Sequence, residues 1–151
     1  MSAPDVVVVG GAGHVGLPLS LLLAESGLRV GIYDIDRDAL DRIAAGSMPF
    51  LEPGTDDLLA GAVDKESLVL GSNSELVDGV PIVIVIVGTP IDEFMNPSMT
   101  IFDSVIDDLA TRLAPDALVV LRSTVFPGTT EHVCRRLAGH GCDARVAFCP
   151  E

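Results

Sequence analysis

Gly11, Gly13 and Gly16 stand at G-x-G-x-x-G spacing straight after the apolar run Val6–Val9, and Asp34 ends the next apolar run twenty-three residues after Gly11. Glycines at this spacing leave bare backbone N–H groups at the start of a helix. Those groups and the positive end of the helix dipole can hold phosphate. An acid about 20 residues on, at the end of the following strand, can accept hydrogen bonds from ribose hydroxyls. The layout is that of a dinucleotide site, and the strand, helix and acid in register make it far more specific than the glycines alone. Gly11 is expected to allow the tight turn, Gly13 to let a pyrophosphate approach, and Gly16 to let the helix pack closely on the sheet. His14 and Val15 complete the turn, with the His14 imidazole facing either the cofactor or solvent. The Asp34 charge would repel a 2′-phosphate, so NAD is expected over NADP. Arg37, just past the strand, weakens that preference slightly.

Other polar residues follow the other apolar runs. Gly88-Thr89-Pro90 follows Ile82–Val87, Arg122-Ser123-Thr124 follows Leu118–Leu121, and Cys149-Pro150-Glu151 follows Ala144–Phe148. Ligands of an open parallel sheet bind beyond the carboxyl ends of its strands. Each group has a plainer reading alone: a strand-ending turn for Thr89-Pro90, local backbone bonds for Ser123 and Thr124, a solvated acid for Glu151. On one rim with the glycine turn they read as the lining of an extended dinucleotide, its nicotinamide end near Thr124 and Glu151.

The elements that must carry these residues follow from the apolar patterns. Strands are expected at Val6–Val9, Arg29–Tyr33, Leu68–Leu70, Ile82–Val87, Leu118–Leu121 and Ala144–Phe148. Helices are expected at Val15–Ser26, Asp38–Ala45, Asp56–Ala62, Thr100–Leu113 and from Thr129 or Thr130 to Ala138, with a short turn after Ser74. Ile82–Val87 is apolar at every position and should lie at the sheet centre, buried on both faces. The Thr100–Leu113 helix carries Ile101, Val105, Ile106, Leu109 and Leu113 on one side. Six strands alternating with helices predict a Rossmann-type α/β fold, a doubly wound parallel sheet with helices on both faces.

Composition limits the function classes. The chain has 151 residues, 48% of them hydrophobic, enough for one domain with its own core. Net charge is −13 with Lys65 the single lysine, which argues against a nucleic-acid partner. This acidity fits either a salty cytoplasm or a GC-rich genome. The longest apolar runs fall far below the ~20 residues of a membrane span, and M-S-A-P-D has no leader pattern, so a cytoplasmic protein is expected. Cys134, Cys142 and Cys149 lack C-x-x-C spacing and are expected to be buried, reduced thiols. His14, His132 and His140 lack metal-ligand spacing, so no metal is expected.

The chain resembles the N-terminal domain of the UDP-glucose/GDP-mannose dehydrogenase family. The resemblance rests on G-A-G-H-V-G-L-P-L at Gly11–Leu19, Y-D-I-D at Tyr33–Asp36 and P-F-L-E-P-G at Pro49–Gly54. It continues with V-G-T-P at Val87–Pro90, S-T-V-F-P-G-T-T-E at Ser123–Glu131 and F-C-P-E at Phe148–Glu151. It implies a nucleotide-sugar 6-dehydrogenase, which oxidises the C6 hydroxyl of a UDP-sugar to a carboxylate with two NAD⁺. Thr124 and Glu151 would then sit at the reacting centre, with Ser123 and Thr89 lining the cofactor. The C-P-E ending is similar to the UDP-N-acetylmannosamine dehydrogenase branch, acting on UDP-N-acetylhexosamines; UDP-glucose is the other substrate in view.

The family's nucleophilic cysteine, dimerisation helix and sugar-binding domain have no counterpart in residues 1–151. The expectation is therefore an NAD-binding domain from a longer, homodimeric or higher-order enzyme of polysaccharide biosynthesis, a piece that binds NAD and does not turn over alone. A basic residue common in the family after the strand-two acid is Ala39 here, with Arg37 or Arg42 as substitutes. Two other readings are a stand-alone NAD-binding or sensor module and another NAD-dependent dehydrogenase, such as a 3-hydroxyacid dehydrogenase.

Overall fold

The computed structural model describes residues 3–88 and 99–150. Within them, mostly apolar four-residue segments form six strands: β1 (Val6–Val9), β2 (Val30–Tyr33), β3 (Leu68–Gly71), β4 (Ile82–Val85), β5 (Leu118–Leu121) and β6 (Arg145–Phe148). All pairings are parallel, in the order β3-β2-β1-β4-β5-β6. The expected doubly wound Rossmann-type sheet is therefore present. The order reverses between β1 and β4, and the crevice there is where such sheets take ligands.

The helices are α1 (Gly16–Glu25), α2 (Arg37–Ala44), α3 (Asp56–Asp64), α4 (Thr100–Ala110) and α5 (Thr129–Gly139). Asp36 caps α2, its side chain accepting from the Ala39 N–H at 3.0 Å. Alternation along the strands sorts the core into two layers. Val6, Val8, Val30 and Ile32 pack with Leu17, Leu21, Leu40, Ile43 and Leu59 under α1–α3. Val7, Val9, Val83, Val85, Val119 and Leu121 pack with Phe102, Ile106, Leu109, Val133 and Leu137 under α4 and α5.

Two expectations need correction here. β4 is central but is not buried throughout: Val83 and Val85 are fully buried, whereas Ile82 is 38% exposed and Ile84 only half-buried. The reason is that α1–α3 pack on the β1–β3 side of the sheet, leaving Ile84, Leu118 and Val120 partly open. The cysteines also differ from expectation. Cys142 is buried, but Cys134 and Cys149 are exposed, on the outer side of α5 and just beyond β6; all three are free thiols.

A polar ladder joins α4 to α5. Arg136 grips Asp107 with two bonds of 2.6 Å and reaches Asp103 at 3.2 Å. His132 meets Asp103 at 2.8 Å and His140 meets Asp107 at 3.0 Å. The Arg136 bonds hold the Asp107 carboxyl below the usual carboxylate range, with His140 acting in the same direction. No helix among the described residues is long and apolar enough to cross a membrane.

Candidate dinucleotide site

The chain leaves β1 through Gly10, whose φ of +78° requires glycine. An alanine Cβ there would overlap the Ile86 carbonyl oxygen. The tight turn expected at Gly11 is thus made one residue earlier. Gly11 is instead small because a Cβ would lie 2.7 Å from the Val8 oxygen and 3.0 Å from the Ile32 side chain. At Gly16, expected to let the helix pack on the sheet, the close neighbour is the turn: a Cβ would run into the Gly10 carbonyl oxygen and stop α1 packing there. Gly13 differs from both. A Cβ there would meet only the Gly10 oxygen at 3.5 Å, so its open side lies toward space that a ligand could fill.

Helix α1 starts at Gly16 with no side-chain cap at Val15 and no acid in its first turn. The N–H groups of His14, Val15 and Gly16 have no acceptor among the described residues, the first partnered one being Leu17, which donates to Gly13 at 2.9 Å. Three bare donors and an uncompensated helix dipole suit a diphosphate.

Asp34 lies at the carboxyl end of β2, half-buried. Its Oδ2 accepts from the Ala12 N–H at 3.0 Å and its Oδ1 from the Asp36 N–H at 3.1 Å. Each carboxylate oxygen retains acceptor capacity for a ribose hydroxyl. The first bond ties the acid directly to the glycine turn. Arg37 is exposed, its side chain makes no bond among the described residues, and it borders a groove with Leu70, Gly71 and Ser72. Arg42, the other candidate for a phosphate contact, is committed elsewhere: its guanidinium donates to the Met48 and Pro49 carbonyls at 2.8 and 3.1 Å.

Next to Asp34 lies an apolar slot of about 280 Å³, lined by Val9, Ile35, Ile86, Val87, Ile101 and Val105 among others. Ile35 is 85% exposed at the mouth of this slot, where its side chain and Ile101 form one apolar patch that a flat apolar group could cover. The pattern of α4 places Ile101 on one side with Val105, Ile106, Leu109 and Leu113. Ile106, Leu109 and Leu113 are buried as that stripe requires, with Phe102 beside them, whereas Ile101, one position before Phe102 and about 100° around the helix, is 55% exposed at the slot. The slot residues were missed in the sequence; the available signal was an isoleucine directly after the strand-ending acid. Burial pushes the Tyr33 phenol up at the slot wall, and Asp108 adds to this, so it stays neutral at ordinary pH.

Ser123 sits at the β5 exit, where its Oγ accepts from the Val87 N–H at 2.9 Å and donates to the Val87 carbonyl at 2.8 Å. The hydroxyl therefore stitches the β5 exit to the β4 exit, and its one proton is engaged there. Thr124 follows on the exposed part of the loop before α5. Arg122, named in the sequence only as part of the rim, donates to the carbonyls of Cys149 and Pro150 at 3.1 and 2.6 Å. It thereby holds the segment leading to the last residue. Thr89, Pro90 and Glu151 lie outside the described residues. The His14 ring stacks on Phe50, with centroids 4.0 Å apart and planes at 28°.

Comparison with known proteins agrees with this geometry. A family model described as the UDP-glucose/GDP-mannose dehydrogenase family, NAD binding domain, matches residues 5–151. The chain is 31% identical to the UDP-N-acetyl-D-mannosamine dehydrogenase of Pyrococcus horikoshii over 96% of its own length and 36% of that protein's. It is 34% identical to the UDP-glucose 6-dehydrogenase of Pseudomonas aeruginosa over 82% of its length and 27% of that protein's. Among solved structures, the P. horikoshii enzyme superposes with a TM-score of 0.88 at 31% identity, covering 97% of this chain and 36% of that one. A UDP-glucose dehydrogenase from Pyrobaculum islandicum gives 0.86 at 28% identity, covering 99% and 36%. The chain thus spans about a third of the length of the relatives it matches. From its glycine turn, its acid at β2 and its match over nearly the whole length, the chain belongs to the UDP-glucose/GDP-mannose dehydrogenase family, and the part of that family it represents is the NAD binding domain.

Proposed function

We propose that residues 1–151 serve as the cofactor-binding domain of a nucleotide-sugar 6-dehydrogenase. The substrate is a UDP-sugar, either a UDP-N-acetylhexosamine such as UDP-N-acetylmannosamine or UDP-glucose, in a homodimeric or larger cytoplasmic enzyme of polysaccharide biosynthesis. The observation that carries this reading is the bond from the Ala12 N–H to Asp34 beside three bare N–H groups at the start of α1. It joins a ribose acceptor and a diphosphate cradle in one rigid unit.

Bound NAD⁺ supplies the hydride acceptor for both oxidation steps. The chain's own residues do the rest of what this domain contributes. The N–H groups of residues 14–16 hold the diphosphate, Asp34 orients the adenosine ribose, and the Ile35–Ile101 slot excludes water from the base. Ser123 fixes the loop that carries Thr124. A hydroxyl at Thr124 and a carboxylate at Glu151, near the sugar C6, can hold a water and relay protons. Thr89 and Pro90 would line the cofactor from the β4 exit.

Calorimetric titration with NAD⁺ and NADP⁺ tests the cofactor assignment. NAD⁺ should bind more tightly. Asp34→Ala should weaken NAD⁺ at least tenfold, from the loss of charge-assisted bonds of ~1.5–3 kcal/mol each, and should shrink the preference. Equal affinity of the unaltered chain for the two cofactors would remove Asp34 from its role. The chain alone should show no turnover with any UDP-sugar.

A further inference from the structure

Phe50 belongs to the P-F-L-E-P-G loop between α2 and α3, distant in sequence from the glycine turn on which its ring packs. That loop is anchored on both sides of Phe50. Arg42 donates to the carbonyls of Met48 and Pro49, and the Thr55 hydroxyl donates to the Glu52 carbonyl at 2.7 Å. The Met48 side chain is buried in the α1–α3 core. Phe50 is therefore held in place, half-buried, with its ring against one of the three residues whose N–H groups await an acceptor.

His14 sits among Gly10, Gly11, Gly13 and Gly16, backbone with the greatest freedom to lose. A turn that had to be ordered around its ligand would bind it more weakly, because the ordering cost is subtracted from the contacts made. We propose that Phe50 is a positioning residue for the diphosphate site: by stacking on His14 it fixes the run of bare N–H groups at residues 14–16. This makes the P-F-L-E-P-G loop part of the cofactor-binding apparatus, with the diphosphate of an adenine dinucleotide as the group it serves. The proposal rests on the reading of the turn as a diphosphate cradle. The adenosine slot is lined by other residues, so a ligand using only the slot gains nothing from Phe50.

The test compares adenosine, ADP and NAD⁺ on the unaltered chain, Phe50→Ala, Phe50→Leu and Phe50→Tyr. Adenosine is followed by chemical-shift titration, the others by calorimetry, with thermal unfolding alongside. Phe50→Ala and Phe50→Leu should weaken ADP and NAD⁺ by about three- to tenfold, the scale of one aromatic pair, and leave adenosine within about twofold. Phe50→Leu keeps apolar bulk without the ring, so it covers the case in which the alanine variant fails to fold. Phe50→Tyr keeps the ring and should bind all three ligands like the unaltered chain. Equal losses for adenosine and ADP, or unchanged ADP affinity in Phe50→Leu, overturn the proposal. If the unaltered chain binds adenosine but gains nothing from the diphosphate of ADP, the cradle reading falls first, and Phe50 with it.

Discussion

Alanine at Gly10 and alanine at Gly13 should have opposite consequences, although both sit in one turn. At Gly10 the left-handed φ of +78° costs a side-chain-bearing residue roughly 1–2 kcal/mol. The new Cβ would also overlap the Ile86 carbonyl oxygen. Ile86 is tied to β1 by its N–H, which donates to Val9 at 2.8 Å, so it cannot retreat without loosening the β1–β4 pairing. Overpacking of this kind costs ~1–3 kcal/mol. The sum is roughly 2–5 kcal/mol, and at about 2–4 °C per kcal/mol for a domain of this size Tm should fall by roughly 4–20 °C. At Gly13 φ lies outside the left-handed region and a Cβ meets only ordinary contact at 3.5 Å. Gly13→Ala should therefore melt near the unaltered chain, or slightly above it through the stiffer unfolded chain. Its methyl stands where the diphosphate must come close, so NAD⁺ affinity should drop at least tenfold. Thermal unfolding and calorimetric titration on both variants measure the two effects separately. Gly10→Ala melting within about 2 °C of the unaltered chain, or Gly13→Ala losing stability while keeping its NAD⁺ affinity, would refute the division of labour.

Ser123→Ala removes the acceptor of the half-buried Val87 N–H and should cost about 1–3 kcal/mol, with faster amide exchange at Val87; unchanged exchange there would show that the stitch between the β4 and β5 exits is not needed. Arg136→Met tests the ladder between α4 and α5 through its pH dependence. The Asp107 carboxyl is held below the usual carboxylate range in the folded chain, chiefly because Arg136 bonds to it. A depressed carboxylate contributes stability above its unfolded pKa and loses it as pH falls through the folded one. The melting difference between Arg136→Met and the unaltered chain should be full at neutral pH and should shrink as pH drops below about 4. A difference that holds constant down to strongly acid pH would mean the ladder acts through packing alone.

The parallel sheet and the acid at β2 were legible in the sequence because each depends on local order: an apolar run, a breaker, then a polar residue. Asp34 needed only its position at a strand end. What the sequence could not carry were choices made by contacts between distant segments. The turn falls on Gly10 rather than Gly11, and the Ile86 backbone passing beside it leaves no room there for a Cβ. Ser123 was read either as lining the cofactor or as bonding local backbone, and the backbone its hydroxyl meets is not local but Val87, just beyond β4. Ile101 matched the apolar stripe of α4 but lies at the slot, with Phe102 in the inward position. The His14–Phe50 stack joins two motifs whose adjacency depends on how α2 and α3 fold back. Helix ends moved by a residue or more for a related reason: α4 was expected to reach Leu113 and stops at Ala110.

The two-layered core also bears on the order in which the molecule can assemble. Every fully buried member of the α1–α3 layer lies between Val6 and Ala62, whereas the other layer needs Val7 and Val9 to meet Leu137 and Cys142. Contacts close in sequence close quickly, and a chain emerging from synthesis makes its early contacts first. The first layer, with Asp34 already bonded to Ala12, can therefore form while the second is still being made. The apolar slot needs β4 and α4 to dock against it. In a growing chain the ribose acceptor and diphosphate cradle would thus exist before the base has anywhere to rest, and dinucleotide affinity would arrive only with the second half.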